Sequence, residues 1–102
     1  MNKRLEMLSQ LVESGHADSF ARYALALEYR KAGRNDEALA AFEALRTADP
    51  DYLAMYYMAG QLLLDTDQED QARDWLEAGV EVARRQGESK TLGELEAALA
   101  EI

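Results

Sequence analysis

The sequence repeats itself with a period of about 34 residues, and this feature restricts the possible folds more than any other. Small residues recur at Ala26 and Gly60, and bulky ones recur at Tyr29 and Leu63. The matched pairs are Arg22/Tyr56, Leu25/Ala59, Ala26/Gly60, Tyr29/Leu63, Ala38/Ala72, Phe42/Leu76 and Pro50/Arg84. A fixed period of this length is typical of chains that stack one supersecondary unit on the next, with roughly three units needed for a continuous core.

The first copy predicts a pair of helices. The first helix follows Asp18 and ends at Gly33, and it is apolar on two faces, so we expect neighbours on both. A second helix is predicted to start near Asn35-Asp36, because apolar residues then recur at helical spacing. The two stripes of the first helix are Phe20, Tyr23 and Leu27, and Ala21, Leu25, Tyr29 and Ala32; the second helix carries Leu39, Phe42 and Leu45.

The second copy predicts another pair. Asp49-Pro50-Asp51 is expected to end the preceding helix and to cap the next, which covers Tyr52 to Leu64. Asp65-Thr66-Asp67 forms the turn, and the following helix ends at Gly87. That helix carries the stripe Ala72, Leu76, Val80 and Ala83.

Two flanking segments are predicted to be capping helices. One carries Leu5, Leu8, Leu11 and Val12 and ends near Gly15; the other follows a cap at Ser89 or Thr91 and carries Leu92, Leu95, Leu99 and Ile102. The prediction is a single domain, 1–102, with six helices. It divides into an N-terminal cap (1–15), repeat 1 (19–52), repeat 2 (53–86) and a C-terminal cap (88–102).

The first copy resembles the tetratricopeptide repeat, a helix-turn-helix unit of about 34 residues found in small bacterial proteins among others. The resemblance rests on Leu25-Ala26-x-x-Tyr29, Ala38-x-x-x-Phe42 and Pro50, and covers 19–86 directly. Arg22 departs from the pattern where an aromatic residue is usual, and Arg84 replaces the closing proline of the second copy. The resemblance implies an all-α fold, an α-solenoid of antiparallel helix pairs.

The same resemblance implies a binding surface. In such proteins the first helix of each pair lines a concave groove that takes a peptide or a helix from a partner. The corresponding partner-binding residues are Phe20, Tyr23, Leu27, Arg30, Tyr57, Gln61 and Leu64. Members that clamp a C-terminal carboxylate use lysine, arginine and asparagine here, whereas Tyr23 and Leu27 favour an apolar ligand. The alternative is that Tyr23, Leu27 and Tyr57 pack as core, as we expect of Trp75.

Catalysis is not predicted, because the reactive groups are too few. The chain has no cysteine, which excludes thiolate metal sites, disulfides and cysteine nucleophiles. His16 is the single imidazole, and Ser14, Asp18 and Ser19 share its interhelix turn with nothing to orient a triad. Asp65-x-Asp67-x-Glu69 hints at a calcium loop, but helix capping explains it better, since Asp70 and Leu76 replace the glycine and glutamate required. We therefore expect neither a metal nor a cofactor.

A net charge of −9 limits the possible partners. It has the wrong sign for following a phosphate backbone or for lying on an anionic leaflet, so no nucleic acid and no membrane are expected. Glu6, Ser9 and Gln10 interrupt any apolar leader, which makes the cytoplasm the expected location. The predicted function is a non-catalytic adaptor that binds a protein or peptide. The alternative is a self-assembling structural unit, with a homodimer possible.

Overall fold

A computed structural model describes residues 2–102 and contains six α-helices and no strand within that range. The helices are α1 (Lys3–Glu13), α2 (Ser19–Lys31), α3 (Asn35–Ala48), α4 (Ala54–Asp65), α5 (Glu69–Gln86) and α6 (Ser89–Ala100). Contacts join helices that follow one another in the chain: α1 with α2, α2 with α3, α4 with α5, and α5 with α6. The prediction of an all-α chain built from adjacent helix pairs is confirmed.

Side chains cap the first two helices. The Asn2 side chain accepts a hydrogen bond of 3.1 Å from the Leu5 amide, and Asp18 Oδ1 accepts one of 2.8 Å from the Ala21 amide. Each bond satisfies one of the amides that a helix leaves without an intrahelical partner in its first turn. The predicted start of α2 after Asp18 is confirmed.

The helix ends follow the same period as the side chains. Gly33 ends α2 with φ of 77°, and the Arg34 amide donates back to the Tyr29 carbonyl at 2.9 Å. At the equivalent place after α4, Asp67 has φ of 58°, and the Gln68 amide donates to the Leu63 carbonyl at 2.8 Å. The two helix ends therefore have the same backbone conformation and the same hydrogen bond, although the second repeat has aspartate in place of the glycine.

The starts of α4 and α6 differ from the prediction. Asp51 does not cap α4: the helix starts at Ala54, later than the predicted Tyr52, with Leu53 before it and no side-chain cap. The reason is a turn in which the Tyr52 amide donates to the Asp49 carbonyl at 3.1 Å. Neither Ser89 nor Thr91 caps α6, because Ser89 already lies inside the helix.

The chain divides into two compact units, one ending at Tyr52 and the other beginning at Leu53. In the first unit, Leu5 and Leu8 of α1 pack in a core cluster with Ala24 and Leu25 of α2. The Arg4 and Glu28 side chains form an ion pair of 2.9 Å that also joins α1 to α2. The buried residues of α3 are Ala38, Phe42 and Leu45.

In the second unit, α4 and α5 approach closely at two glycines. A β-carbon added to Gly60 would lie 2.6 Å from Leu76 Cδ2, and one added to Gly79 would lie 2.6 Å from Tyr56 Cβ. Trp75 of α5 is 5% exposed, with its ring 5.8 Å from that of Tyr56, so its predicted place in the core is confirmed. The predicted stripe of α5 is also buried, at Ala72, Leu76, Val80 and Ala83.

Candidate functional site

The four predicted binding residues of α2 form one row along the helix. Phe20, Tyr23, Leu27 and Arg30 follow one another at three- and four-residue steps, which places them on one face. Phe20 is 66% exposed, and the other three are half-buried. The opposite side of α2 is closed by the buried Leu25. The row, which we call the α2 row, is thus an apolar surface that ends in an arginine.

Tyr23 lies in an aromatic cluster within the first unit. Its ring centroid is 6.4 Å from that of the buried Phe42 and 5.4 Å from that of Tyr52, with both pairs tilted. Partial burial raises the pKa of Tyr23 above its ordinary value, and the nearby Tyr52 raises it further. Tyr52 lies in the turn before α4, and its pKa is also raised, first by burial and then by the carboxylates of Asp18 and Asp49. Tyr23 is therefore both a surface and a packing residue.

The three predicted binding residues of α4 also share one face, which we call the α4 row. Tyr57, Gln61 and Leu64 are separated by steps of four and three residues, and all are half-buried. The rest of this helix is closely packed, with Met55, Tyr56, Ala59, Gly60, Leu62 and Leu63 buried. The row carries no charged side chain, so it offers a second surface that is mainly apolar.

Both rows lie on the first helix of a repeated helix pair. The family model of the tetratricopeptide repeat matches residues 29–94, which is more than half of the chain. The chain belongs to the tetratricopeptide repeat family. The fold class that the resemblance implied, that of the α-solenoid proteins built from helix pairs, is thereby confirmed.

Solved structures show how far the similarity of this tetratricopeptide repeat chain extends. It is 45% identical to a tetratricopeptide repeat domain protein from Salinibacter ruber solved by NMR, with a TM-score of 0.79; the match covers 82% of this chain and 85% of that one. For a crystal structure of such a domain from the same organism the identity is 46%, the TM-score 0.77 and the coverage 81% and 93%. A protein from Bordetella parapertussis is 25% identical, with a TM-score of 0.82 and coverage of 99% and 88%.

No curated protein matches the sequence of this tetratricopeptide repeat chain significantly. Within residues 2–102, none of the helices combines the length and the apolar character that crossing a lipid bilayer requires.

The exposure of two apolar side chains of α1 was not predicted from the sequence. Met7 is 55% exposed, and Leu11, which belongs to the predicted apolar stripe of α1, is 37% exposed. The helix packs on α2 through Leu5 and Leu8, and Leu11 is not among the residues of that core cluster. The 34-residue period does not predict the exposure of Leu11, because the equivalent residue one repeat later, Leu45, is fully buried in α3.

The polar groups around His16 make local hydrogen bonds. His16 Nδ1 lies 3.0 Å from Ser14 Oγ, and the Ser14 hydroxyl donates at 3.0 Å to the Leu11 carbonyl. When the single proton of that hydroxyl is in the hydrogen bond to the Leu11 carbonyl, Ser14 Oγ is left to accept from the imidazole. Asp18 caps α2, and the Ser19 hydroxyl donates to Asp49 Oδ2 at 2.6 Å. Each group thus has a local structural partner.

The acidic segment 65–69 is a helix end followed by a helix start. Asp65 is the last residue of α4, Thr66 donates through its hydroxyl to the Leu62 carbonyl at 2.9 Å, and Glu69 begins α5. In residues 2–102 no three of the aspartate, glutamate and histidine side chains are grouped as a metal-ligand set.

Proposed function

We propose that this protein is a non-catalytic adaptor that binds an apolar peptide or helix of a partner protein on the α2 row, and that the α4 row is a second surface of the same kind. The observation that carries the proposal is Phe20, a phenylalanine with 66% of its surface exposed at the start of the α2 row. Aromatic side chains bury a large area at a small cost in rotamer entropy, which makes them frequent anchors of protein interfaces.

The composition of the α2 row defines the ligand. Phe20, Tyr23 and Leu27 present a continuous apolar surface at the spacing of one helical face, and Arg30 follows at its end. An apolar segment of a partner fits this order, because the row is apolar from Phe20 to Leu27. The aromatic cluster fixes the Tyr23 ring against Phe42 and Tyr52, so little rotamer entropy is lost there on binding.

The test is a selection of peptides from a random library on the full chain, followed by affinity measurements with single variants. Phe20→Ala should weaken binding of the selected peptides by about 2 kcal/mol, or roughly thirtyfold. Its thermal stability should stay within about 0.5 kcal/mol of the parent, since an exposed side chain is removed. Met7→Ala is the matched control, because Met7 is exposed to a similar extent but lies on α1.

Unchanged affinity in Phe20→Ala and in Leu27→Ala would contradict the proposed site. Tyr23→Ala is a poor test by itself, because this substitution also removes packing against the buried Phe42.

A second candidate function is self-assembly, and the exposure of Met7 and Leu11 favours it. These residues lie four apart on α1 and form a small apolar patch that a second copy could cover. Light scattering decides between the two functions. A monomer at low micromolar concentration eliminates self-assembly, whereas a dimer that dissociates in Met7→Lys would support it.

A further inference from the structure

A cleft lies between α1 and α3 in the first unit, on the side of α2 away from the α2 row. One part has a volume of about 340 Å³ and is lined by Val12 of α1, Leu25 and Tyr29 of α2, and Ala40 and Ala41 of α3, among others. A second part of about 240 Å³ shares the Ser9 and Tyr29 lining and continues along α1. We call both parts together the α1–α3 cleft. Its floor is mostly apolar.

The period of the sequence explains why this cleft is open. Ala41, which lines it, is equivalent to Trp75, one period later in the second repeat. Trp75 is 5% exposed, and its ring packs against Tyr56. The first unit therefore has a methyl group at the position where the second unit has an indole.

Two carboxylates lie on the α1 side of the cleft. Glu6 lines one part and Glu13 the other, and neither contacts a cation or a hydrogen-bond donor within residues 2–102. They are seven residues apart on one helix, which separates them by about 10.5 Å along its axis.

The one cation in the lining, among the residues that the structure describes, is already neutralised. Arg34 binds the Glu37 carboxylate through Nε at 2.6 Å and through Nη2 at 2.7 Å. Its guanidinium also lies 5.0 Å from the centre of the Tyr29 ring. Glu6 and Glu13 consequently give the cleft a net negative charge.

We propose that the α1–α3 cleft is a second docking site, which binds a cationic amphipathic helix of another protein. Two basic side chains seven residues apart on such a helix have the same spacing of about 10.5 Å as Glu6 and Glu13. Apolar side chains three and four residues after the first basic one lie between them on the same face and reach the floor formed by Val12 and Tyr29. This site is independent of the proposed function, because it uses the other side of α2.

Charge also favours a foreign helix over a second copy of this chain. Two copies carry −9 each and repel one another. Moreover, no two of the eleven basic residues in the sequence are seven apart, so no helix of a second copy offers the required pair. A basic helix is attracted both by the overall charge and by the two local carboxylates.

The experiment uses the full chain and a fluorescein-labelled helical peptide about four turns long, built from alanine, leucine and arginine. Its arginines are seven residues apart, with leucines between them on the same face. A second peptide carries glutamate in place of arginine. Fluorescence anisotropy should show saturable binding of the arginine peptide and none of the glutamate peptide. Amide shifts in NMR should change around Val12, Tyr29 and Ala41.

Charge variants locate the site. Glu6→Gln/Glu13→Gln should raise Kd roughly fivefold, since each exposed ion pair contributes modestly. The matched control is Glu94→Gln/Glu101→Gln, which removes two exposed carboxylates, also seven apart, from the α6 segment of the second unit. This control should change Kd by less than about twofold, because neither carboxylate lines the cleft.

A steric variant tests the cleft itself. Ala41→Trp, which introduces the residue found at the equivalent position of the second repeat, should abolish binding of the arginine peptide. Phe20→Ala should leave this binding unchanged, although it impairs the proposed adaptor function.

The proposal is overturned by an absence of saturable binding, by equal losses in the two charge variants, or by NMR shifts confined to the α2 row. Dimerisation of the free protein through the cleft, detected by light scattering, would also overturn it.

Discussion

At the scale of single residues, two glycines of the second unit lie in opposite surroundings. A β-carbon at Gly79 would be 2.6 Å from Tyr56 Cβ and 3.1 Å from Leu95 Cδ2, whereas one at Gly93 would meet no atom within 4 Å. Gly79→Ala should lower the free energy of unfolding by about 1–3 kcal/mol through overpacking. Gly93→Ala should raise it by about 0.5–1 kcal/mol, because alanine favours the helix. Urea denaturation of both variants tests this, and equal effects would contradict the close approach of α4 and α5.

The tyrosines of the aromatic cluster predict a loss of stability in alkali. The pKa values of Tyr23 and Tyr52 are raised in the folded state above the ordinary value of 10.0. The folded chain then retains protons that the unfolded chain releases, so the stabilisation is complete below about pH 10 and is lost as the pH rises through the folded-state pKa values. The urea midpoint should fall above pH 10, and less so in Tyr23→Phe/Tyr52→Phe. An identical fall of the urea midpoint in the parent and in this double variant would mean that titratable groups other than these two tyrosines cause the loss of stability.

At the scale of helices, the equivalent ends of α2 and α4 differ in one residue. Gly33 and Asp67 both have positive φ, which costs a residue with a β-carbon about 1 kcal/mol or more. Asp67→Gly should therefore raise the free energy of unfolding by about 0.5–1 kcal/mol, and Gly33→Ala should lower it by about 1 kcal/mol. Thermal and urea unfolding measure both. A destabilised Asp67→Gly would mean that the aspartate contributes more through the N-terminus of α5 than its backbone costs.

The helices were largely predictable from the sequence, because their order follows from periodicity and from glycine at the helix ends. The start of α4 was not predictable, because it depends on a turn in which the Tyr52 amide donates a hydrogen bond to the Asp49 carbonyl. The α2 row followed from the spacing of Phe20, Tyr23 and Leu27. The contact between Tyr23 and Tyr52 did not, because the two residues are distant in sequence and only packing brings them together. The α1–α3 cleft was not predictable either, because packing alone brings its lining residues together. The alanine at position 41, where the second repeat has Trp75, was nevertheless a sign in the sequence that the first unit has a smaller side chain there.

At the scale of the whole molecule, the charge of −9 predicts that salt stabilises the fold. Raising sodium chloride to about 1 M shortens the Debye length to about 3 Å and screens the mutual repulsion of the carboxylates. The ion pairs weakened at the same time, such as Arg34–Glu37 and Arg84–Glu96, are exposed and contribute little. The melting temperature should rise with salt, and should rise less in Glu94→Lys/Glu101→Lys. A fall in the parent protein would contradict the prediction.

The place of the single tryptophan gives the molecule its own spectroscopic label. Trp75 is buried against Tyr56 in the second unit, and the first unit contains no indole at all. Emission excited at the red edge of the absorption band therefore follows the melting of 53–102 alone. Far-ultraviolet circular dichroism follows all six helices, so any gap between the two unfolding curves measures how cooperatively the halves of the chain melt.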